Sequence, residues 1–493
     1  MTGPQHLDRL GAFDASFLLQ EGPTSYAHIG GVVVVEGPPP SIREMRAQIS
    51  GRLGLVPRYR QRLAHTPLDR ARPVWVDDTN FDIDYHVRHI ALPRPGDREQ
   101  LRTAVASAYG QALDRSRPLW ETWLVEGLEG DRFAMIFKAH HALIDGSAAI
   151  DLLKMLCDVT PDPAPAPAAL APWQPQPTPG MLDLLVHGAR ESARTAASQL
   201  AAGAVEVARE PTRRVRQALD VAEGAGKLIL QLLRTPPKTP LTTKIGRHRR
   251  FVEVSCRLDD AKLVKDTFGG TVNDVVLSVV TGALRTFLEN REVSTDGLEL
   301  SALVPVSVRR EDERGRMGNR VAVLRATLPV HVADPVARLG VVTESMTALK
   351  NSNQAVGSES VLRAQDYLPP MVLPITTRIN ASPRMFNVMA TNIPGPQMPL
   401  YVLGRRLVEV FPIALLHPGH PLAIAIASYD GQLNFGILGD YDAMPDIAVV
   451  ADAISAGLME LTAKSRPSAV PEPPARSRPT LVELREAALA TEG

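Results

Sequence analysis

FAMIFKAHHALIDG, residues 133–146, is the stretch from which the rest of the chain is read. Residues 133–141 are apolar or β-forming, broken by Lys138 before the two histidines, which predicts a buried strand. Side chains alternate along a strand, so His140 and His141 are expected on opposite faces, and only one of them can enter a given cleft. The turn Asp145-Gly146-Ser147 leads into AAIDLLKML, whose apolar spacing behind a serine predicts a capped helix. The pair of histidines therefore stands at a strand-to-helix junction, a common place for catalytic groups.

Working outward, residues 29–36 (IGGVVVVE) predict a buried strand and residues 99–114 a helix. Beyond residue 250, FVEVSCRL reads as a strand, about 272–288 as a helix and LELSALVPVSV as a strand again. The class is mixed α/β. At 493 residues the chain exceeds what one core usually serves, so two domains of roughly 150 to 250 residues are expected. The proline-dense run TPDPAPAPAALAPWQPQPTPG, residues 160–180, reads as an extended linker and interdomain seam. Two amphipathic helices broken by Pro211 are expected over 181–235, and the proline-rich tail at 465–479 reads as disordered. The expected division is an N-terminal domain over 1–159, a linker region over 160–250, a second domain over 251–465 and a tail over 466–493.

Composition excludes several classes. Hydrophobic residues at 44% and charged residues at 22% are those of a folded globular chain. With 54 basic and 54 acidic residues there is no global field to draw nucleic acid or an anionic surface, so any such attraction must be local. One local candidate is the acid-free run holding Arg234, Lys238, Lys244, Arg247, Arg249 and Arg250. It reads either as a solvated crossover or as a contact for anionic lipid or nucleotide phosphates. Cys157 and Cys256 form no CxxC pair, which argues against a disulfide framework or a metal cluster and fits a reducing cytoplasm. The first twenty residues lack a secretory pattern, and apolar runs such as 275–284 and 422–427 fall short of the roughly 20 residues a spanning helix needs. The segment His417-Pro418-Gly419-His420 reads as a polar surface loop, since a metal site would need further ligands. No phosphate-cradling glycine motif, HExxH or GxSxG elbow is present.

Two histidines, three residues, then Asp-Gly form the HHxxxDG pattern of the CoA-dependent acyltransferase superfamily. Further motifs accompany it in order: LGAFDA at 10–15, RPLWE at 117–121, NDVVL at 273–277, VPVSVR at 304–309, Gly318-Asn319, NIPGP at 392–396 and SYDGQL at 428–433. Together they resemble the bacterial wax ester synthase/diacylglycerol acyltransferase family over nearly all of residues 7–462. The paired histidines at 417 and 420 depart from that pattern.

The resemblance implies two chloramphenicol-acetyltransferase-like mixed-sheet domains with a channel between them. It also implies transfer of a long acyl chain from acyl-CoA, a co-substrate with no further cofactor and no metal, to diacylglycerol or a long-chain alcohol. A thioester is already activated, so the reaction needs only a base for the hydroxyl and a donor for the tetrahedral oxyanion. His141 is the expected base; His140 reads as structural, although it belongs to the catalytic motif. Asp145 is expected to brace the loop by pairing with an arginine, so Asp145→Asn should cost stability along with rate, and Gly146 completes the motif. Asn273 reads either as oxyanion donor, or holder of the acyl donor, or as a helix N-cap, with Asp274 beside it. Pro118, Leu119 and Trp120 read as a turn and core aromatic, or as channel wall. Apolar substrates imply work at the inner face of the plasma membrane or at a lipid droplet, with residues 181–250 as the contact. Two alternatives stay open: a condensation-type enzyme using a carrier protein, and a catalytically weak droplet-coating protein.

Overall fold

The computed structural model describes residues 8–65, 72–143, 155–162, 173–184 and 186, 237–307, 321–351 and 385–466. Asp145, Gly146, Arg234, Arg309, Gly318, Asn319, most of the expected amphipathic helices and the tail lie outside the described residues.

In chain order the elements are β1 Asp8–Arg9, α1 Ala12–Gln20, β2 His28–Glu36, α2 Ile42–Arg52, β3 Gln61–Ala64, β4 Val74–Asp77, α3 Ile83–His86, β5 Val87–Ala91, α4 Arg98–Tyr109, β6 Trp120–Leu128 and β7 Arg132–His140. A 3-10 turn, His141–Leu143, follows β7. The second half contributes β8 Arg249–Arg257, α5 Leu258–Phe268, α6 Val272–Asn290, β9 Leu300–Ser307, β10 Val321–Leu328 and α7 Pro335–Asn351. It closes with β11 Val388–Ile393, β12 Tyr401–Val402, β13 Arg405–Ile413, β14 Leu422–Tyr429, β15 Gln432–Asp440 and α8 Ala448–Ser465.

Two six-stranded sheets carry the molecule, in the orders β12-β13-β2-β7-β6-β5 and β10-β9-β11-β14-β15-β8, with a small sheet β1-β4-β3 beside the first. Both large sheets are mixed: β5 runs parallel to β6, and β11 runs parallel to β14 and β9. Every β7 residue after Arg132 is buried, which explains the near-continuous apolar run in its sequence. Its odd positions Phe133, Met135, Phe137 and Ala139 enter the N-terminal core with Trp120 and Leu124. Its even positions Ala134 and Ile136 join a second cluster with Leu101 and Val105 of α4 and with Phe251, Ala423, Ala425 and Leu438 of the other sheet. The even face of β7 is thus turned to the seam between the halves. On the far side of the second sheet, α5, α6, α7 and α8 cover a separate core that includes Val280, Phe287, Ile424, Phe435 and Ile454.

The halves are also stitched by the chain itself. β13 follows β11 in sequence but pairs antiparallel with β2 in the first sheet, and β14 returns to the second. The intervening loop, residues 414–421, therefore crosses the seam. Where β13 passes β15 a Cβ on Gly436 would collide with the Pro412 carbonyl, so only glycine permits the crossing.

Three local expectations are revised. The helix expected over 99–114 is α4, which starts with a capping box between Asp97 and Gln100 and stops at Gly110. The strand through the paired histidines ends at His140, so His141 belongs to the turn and its direction is not set by strand alternation. The 417–420 segment is not a surface loop: His417 is 7% exposed and His420 1%. Among the described residues no single helix is long and apolar enough to cross a membrane. The bent pair α5 and α6, at 101°, reaches that apolarity together, but α6 is mostly core.

Candidate active site

His140 and His141 point to different neighbours. The His140 Nδ1 accepts a hydrogen bond from the Ala142 backbone N–H at 2.9 Å, which fixes the turn and leaves the proton on Nε2. That Nε2 lies 3.2 Å from Glu21 Oε1. Glu21 is a hub: Oε1 accepts from Ala27 N at 2.9 Å and lies 4.0 Å from His28 Nε2, while Oε2 pairs with Arg115. Burial pushes the Glu21 carboxyl up, but the hydrogen bond from His140 and the bond and charge of Arg115 prevail and hold it at about 2. His28, the cross-strand partner of His140, is kept neutral by burial and by the charge of Lys138. His140 is therefore a brace for the loop that carries its neighbour.

His141 is held by its backbone and by aromatic packing. Its N–H donates to the Ala27 carbonyl at 2.8 Å. Its ring stacks on Phe17 with centroids 3.7 Å apart, and Phe13 stands edge-on at 6.3 Å. Phe13 and Phe17 are one turn apart on α1, so the 10–15 motif supplies part of a helix whose apolar face cradles the histidine. Burial lowers His141 to about 4. Among the described residues Nδ1 is buried without a hydrogen-bond partner. Half-buried and neutral, this ring can take a proton from an incoming hydroxyl.

The RPLWE residues hold this arrangement from behind. The Leu119 carbonyl accepts the His140 N–H at 2.9 Å, and Pro118 closes the turn by accepting from Trp120 N at 2.9 Å. Leu119 and Trp120 are fully buried; Trp120 stacks on His86 at 4.7 Å and donates from Nε1 to Tyr59 O at 2.8 Å. Glu121 pairs with Arg88 at 2.9 Å and with the buried Lys138 at 3.4 Å. The place of these residues is in the packing under the histidine strand.

At the start of α6 the N-cap is Thr271, not Asn273. Its Oγ1 accepts from Asp274 N at 3.3 Å, and Asp274 Oδ2 accepts from Thr271 N and Oγ1, both at 2.8 Å, a capping box. That frees Asn273 of the capping task. Its Oδ1 accepts from Asn392 Nδ2 at 3.2 Å, tying α6 to the end of β11 and to the NIPGP turn. Across the seam, the Leu416 carbonyl accepts from Ser25 Oγ at 2.8 Å, and Leu415 clusters with Phe17 and Ala27. Of the basic crossover, Lys238, Lys244 and Arg247 are exposed. Arg249 is spent inside, donating to Gly246, His248 and Thr24 carbonyls, and Arg250 donates to Tyr441 O. Among the described residues no group of three or more His, Cys, Asp or Glu is placed to hold a metal ion.

The sequence matches the model of the wax ester synthase/diacylglycerol acyltransferase catalytic domain over residues 10–276 and that of the WS/DGAT C-terminal domain over 317–462. The chain belongs to the wax ester synthase/diacylglycerol acyltransferase family. A relative from Mycobacterium tuberculosis, named a probable diacylglycerol O-acyltransferase, is 32% identical over 467 residues, covering 93% of this chain and 97% of its own length. The solved wax ester synthase/diacylglycerol acyltransferase of Marinobacter aquaeolei VT8 is 27% identical, with a TM-score of 0.66 over 93% of this chain and all of that one. The first condensation domain of the calcium-dependent antibiotic synthetase shares the two-domain fold at 17% identity, with a TM-score of 0.57 over 94% of this chain and 98% of its own. Membership makes this wax ester synthase/diacylglycerol acyltransferase family chain an acyltransferase. Several parts of its site carry no motif of their own: Phe17, Glu21, His28, Arg115 and the crossing loop. Of these, the sequence reading singles out only the 417–420 segment of the crossing loop, and as a surface loop; the i, i+4 spacing of Phe13 and Phe17 is the signal that could have found the helix face.

Proposed function

We propose that the chain moves a long acyl group from acyl-CoA to the free hydroxyl of diacylglycerol, and to long-chain alcohols when these are offered. The observation that carries the reading is the His141 ring: kept neutral by burial, stacked on Phe17, and with no hydrogen-bond partner on Nδ1. The acceptor O–H bond breaks toward Nε2, the freed oxygen attacks the thioester carbon, and the collapsing adduct expels the CoA thiolate, which takes the proton back. No covalent enzyme intermediate is needed, since the base returns what it borrowed. In this reading Asn273, whose Oδ1 accepts from Asn392 Nδ2, holds the acyl donor through its own amide N–H. The name of the mycobacterial relative supports diacylglycerol as the principal acceptor.

The test is a competition. Purified protein given labelled palmitoyl-CoA with equal diacylglycerol and hexadecanol should form triacylglycerol in excess of wax ester on thin-layer chromatography. No labelled neutral lipid from free acyl-CoA would sink the proposal and favour a carrier-bound donor.

Lipid acceptors also imply a lipid surface. Phe13, which stands edge-on to His141, and Leu19 of α1 are exposed, and so are Met181, Leu182 and Val186. We place the enzyme in the cytoplasm, peripherally on the inner face of the plasma membrane or on droplets, with these residues dipping into the lipid. Wild-type protein should float with phosphatidylglycerol-containing vesicles, and a Met181→Asp, Leu182→Asp double variant should stay in the soluble fraction. Equal flotation of the two proteins would remove this surface from the account.

A further inference from the structure

The loop that crosses the seam, residues 414–421, holds a group with no task in the fold. Leu415 packs on Phe17 and Ala27, and the Leu416 carbonyl accepts from Ser25 Oγ at 2.8 Å. Phe17 and Ala27 are the residues that hold the His141 ring and backbone. The next residue in the chain is His417. It is 7% exposed, and neither of its ring nitrogens has a hydrogen-bond partner among the described residues. Its neighbour His420 is the contrast: Nε2 lies 2.9 Å from Phe386 O, Nδ1 lies 3.1 Å from Pro418 O, and the ring stacks on Phe386. Phe386 only edges against His417, at 5.4 Å. One imidazole is thus fully used by the fold, whereas the other is buried with both polar atoms idle.

A buried polar group without a partner costs stability, and such groups are kept where a ligand or a reaction supplies the partner. We propose that His417 is a second catalytic group of the acyl-transfer centre, donating its ring N–H to the thioester carbonyl oxygen as that oxygen becomes an oxyanion. The inference rests on the acyl-transfer reading above. As the acceptor oxygen bonds to the carbonyl carbon, the C=O π pair moves onto oxygen and the hydroxyl proton passes to His141. The oxyanion accepts the His417 N–H bond, the pair returns, the C–S bond breaks, and the thiolate recovers the proton from His141. Burial, with His420 and then His141, holds His417 at about 3. The ring therefore keeps a single N–H and donates without surrendering its proton, as a neutral electrophile should. It also comes from the second half of the chain, which explains why the crossing loop must be seated against α1 before the centre is complete.

The experiment compares wild type, His417→Leu and His417→Gln in steady state with palmitoyl-CoA and diacylglycerol, alongside melting curves. Leucine fills the space without polar atoms, so Tm should hold or rise while kcat falls by roughly 10² to 10³-fold, the usual loss of one oxyanion donor. KM should change little. Glutamine restores an N–H and should recover part of kcat. A leucine variant within about threefold of wild-type kcat overturns the proposal, as does a loss confined to KM or one that glutamine does not relieve. A wild type that turns over no acyl-CoA would instead strike the acyl-transfer reading itself.

Discussion

Replacing His141 by alanine is expected to lower kcat by roughly 10² to 10⁴-fold, the usual contribution of a general base, with the fold intact. The expectation rests on how the residue is held. Its backbone N–H to Ala27 survives any side-chain change, and its ring adds stacking on Phe17 and an edge contact with Phe13 to the packing. A neighbouring substitution supplies the contrast. His140→Ala removes the acceptor for Ala142 N and the partner of Glu21, so it should lower Tm and rate together. The pH profile carries a second signature. Activity requires neutral His141, and burial places its proton affinity near pH 4, so kcat/KM should stay flat well below 6.5 while the protein is folded. An acid limb at the ordinary histidine value, or an alanine variant with wild-type kcat, would end the assignment of His141 as base.

Much of this centre was legible in the chain because each half of it has a local signature. The strand of residues 133–140 reads from its apolar run, α6 from its long apolar period, and the paired histidines from their junction with a turn. What stayed hidden is non-local. The seating of β13 beside β2 depends on strand pairing across hundreds of residues, which no window of sequence reports. The same holds for His417: the Pro418-Gly419 that follows it suggests an exposed turn, and only the crossing loop buries it. Thr271 took the capping task from Asn273 because the capping box needs an acceptor at N3, and that residue is Asp274. Leu119 and Trp120 show the same limit in reverse, since a motif strong enough to identify a family does not say whether its residues meet substrate or hold the strand that does.

The largest loss of stability from one substitution is expected at Glu21. Replacing it by alanine leaves Ala27 N–H without its acceptor, the exposed Arg115 without its pair and the buried His140 Nε2 facing nothing. Because Arg115 is exposed while His140 is buried, the loss should fall between the about 1 kcal/mol or less of an exposed pair and the about 3–5 kcal/mol of a fully buried network. Glu21→Gln keeps the shape but not the charge, so it isolates the carboxylate, and pH separates its contribution from that of the histidines. Glu21 has a folded value of about 2, below the ordinary 4.5, so its stabilisation is complete above 4.5 and is lost as pH falls toward 2. His86, His141 and His420, at about 4, and His417, at about 3, are also depressed, from 6.5; their penalty begins as pH falls below 6.5 and is fully developed near 3 to 4. Urea midpoints should therefore fall for wild type and Glu21→Gln alike between pH 6.5 and 4.5. Below 4.5 the gap between the two proteins should close. A gap that is constant across the whole range, or absent at pH 7, would mean that the carboxylate does not anchor the turn that presents His141.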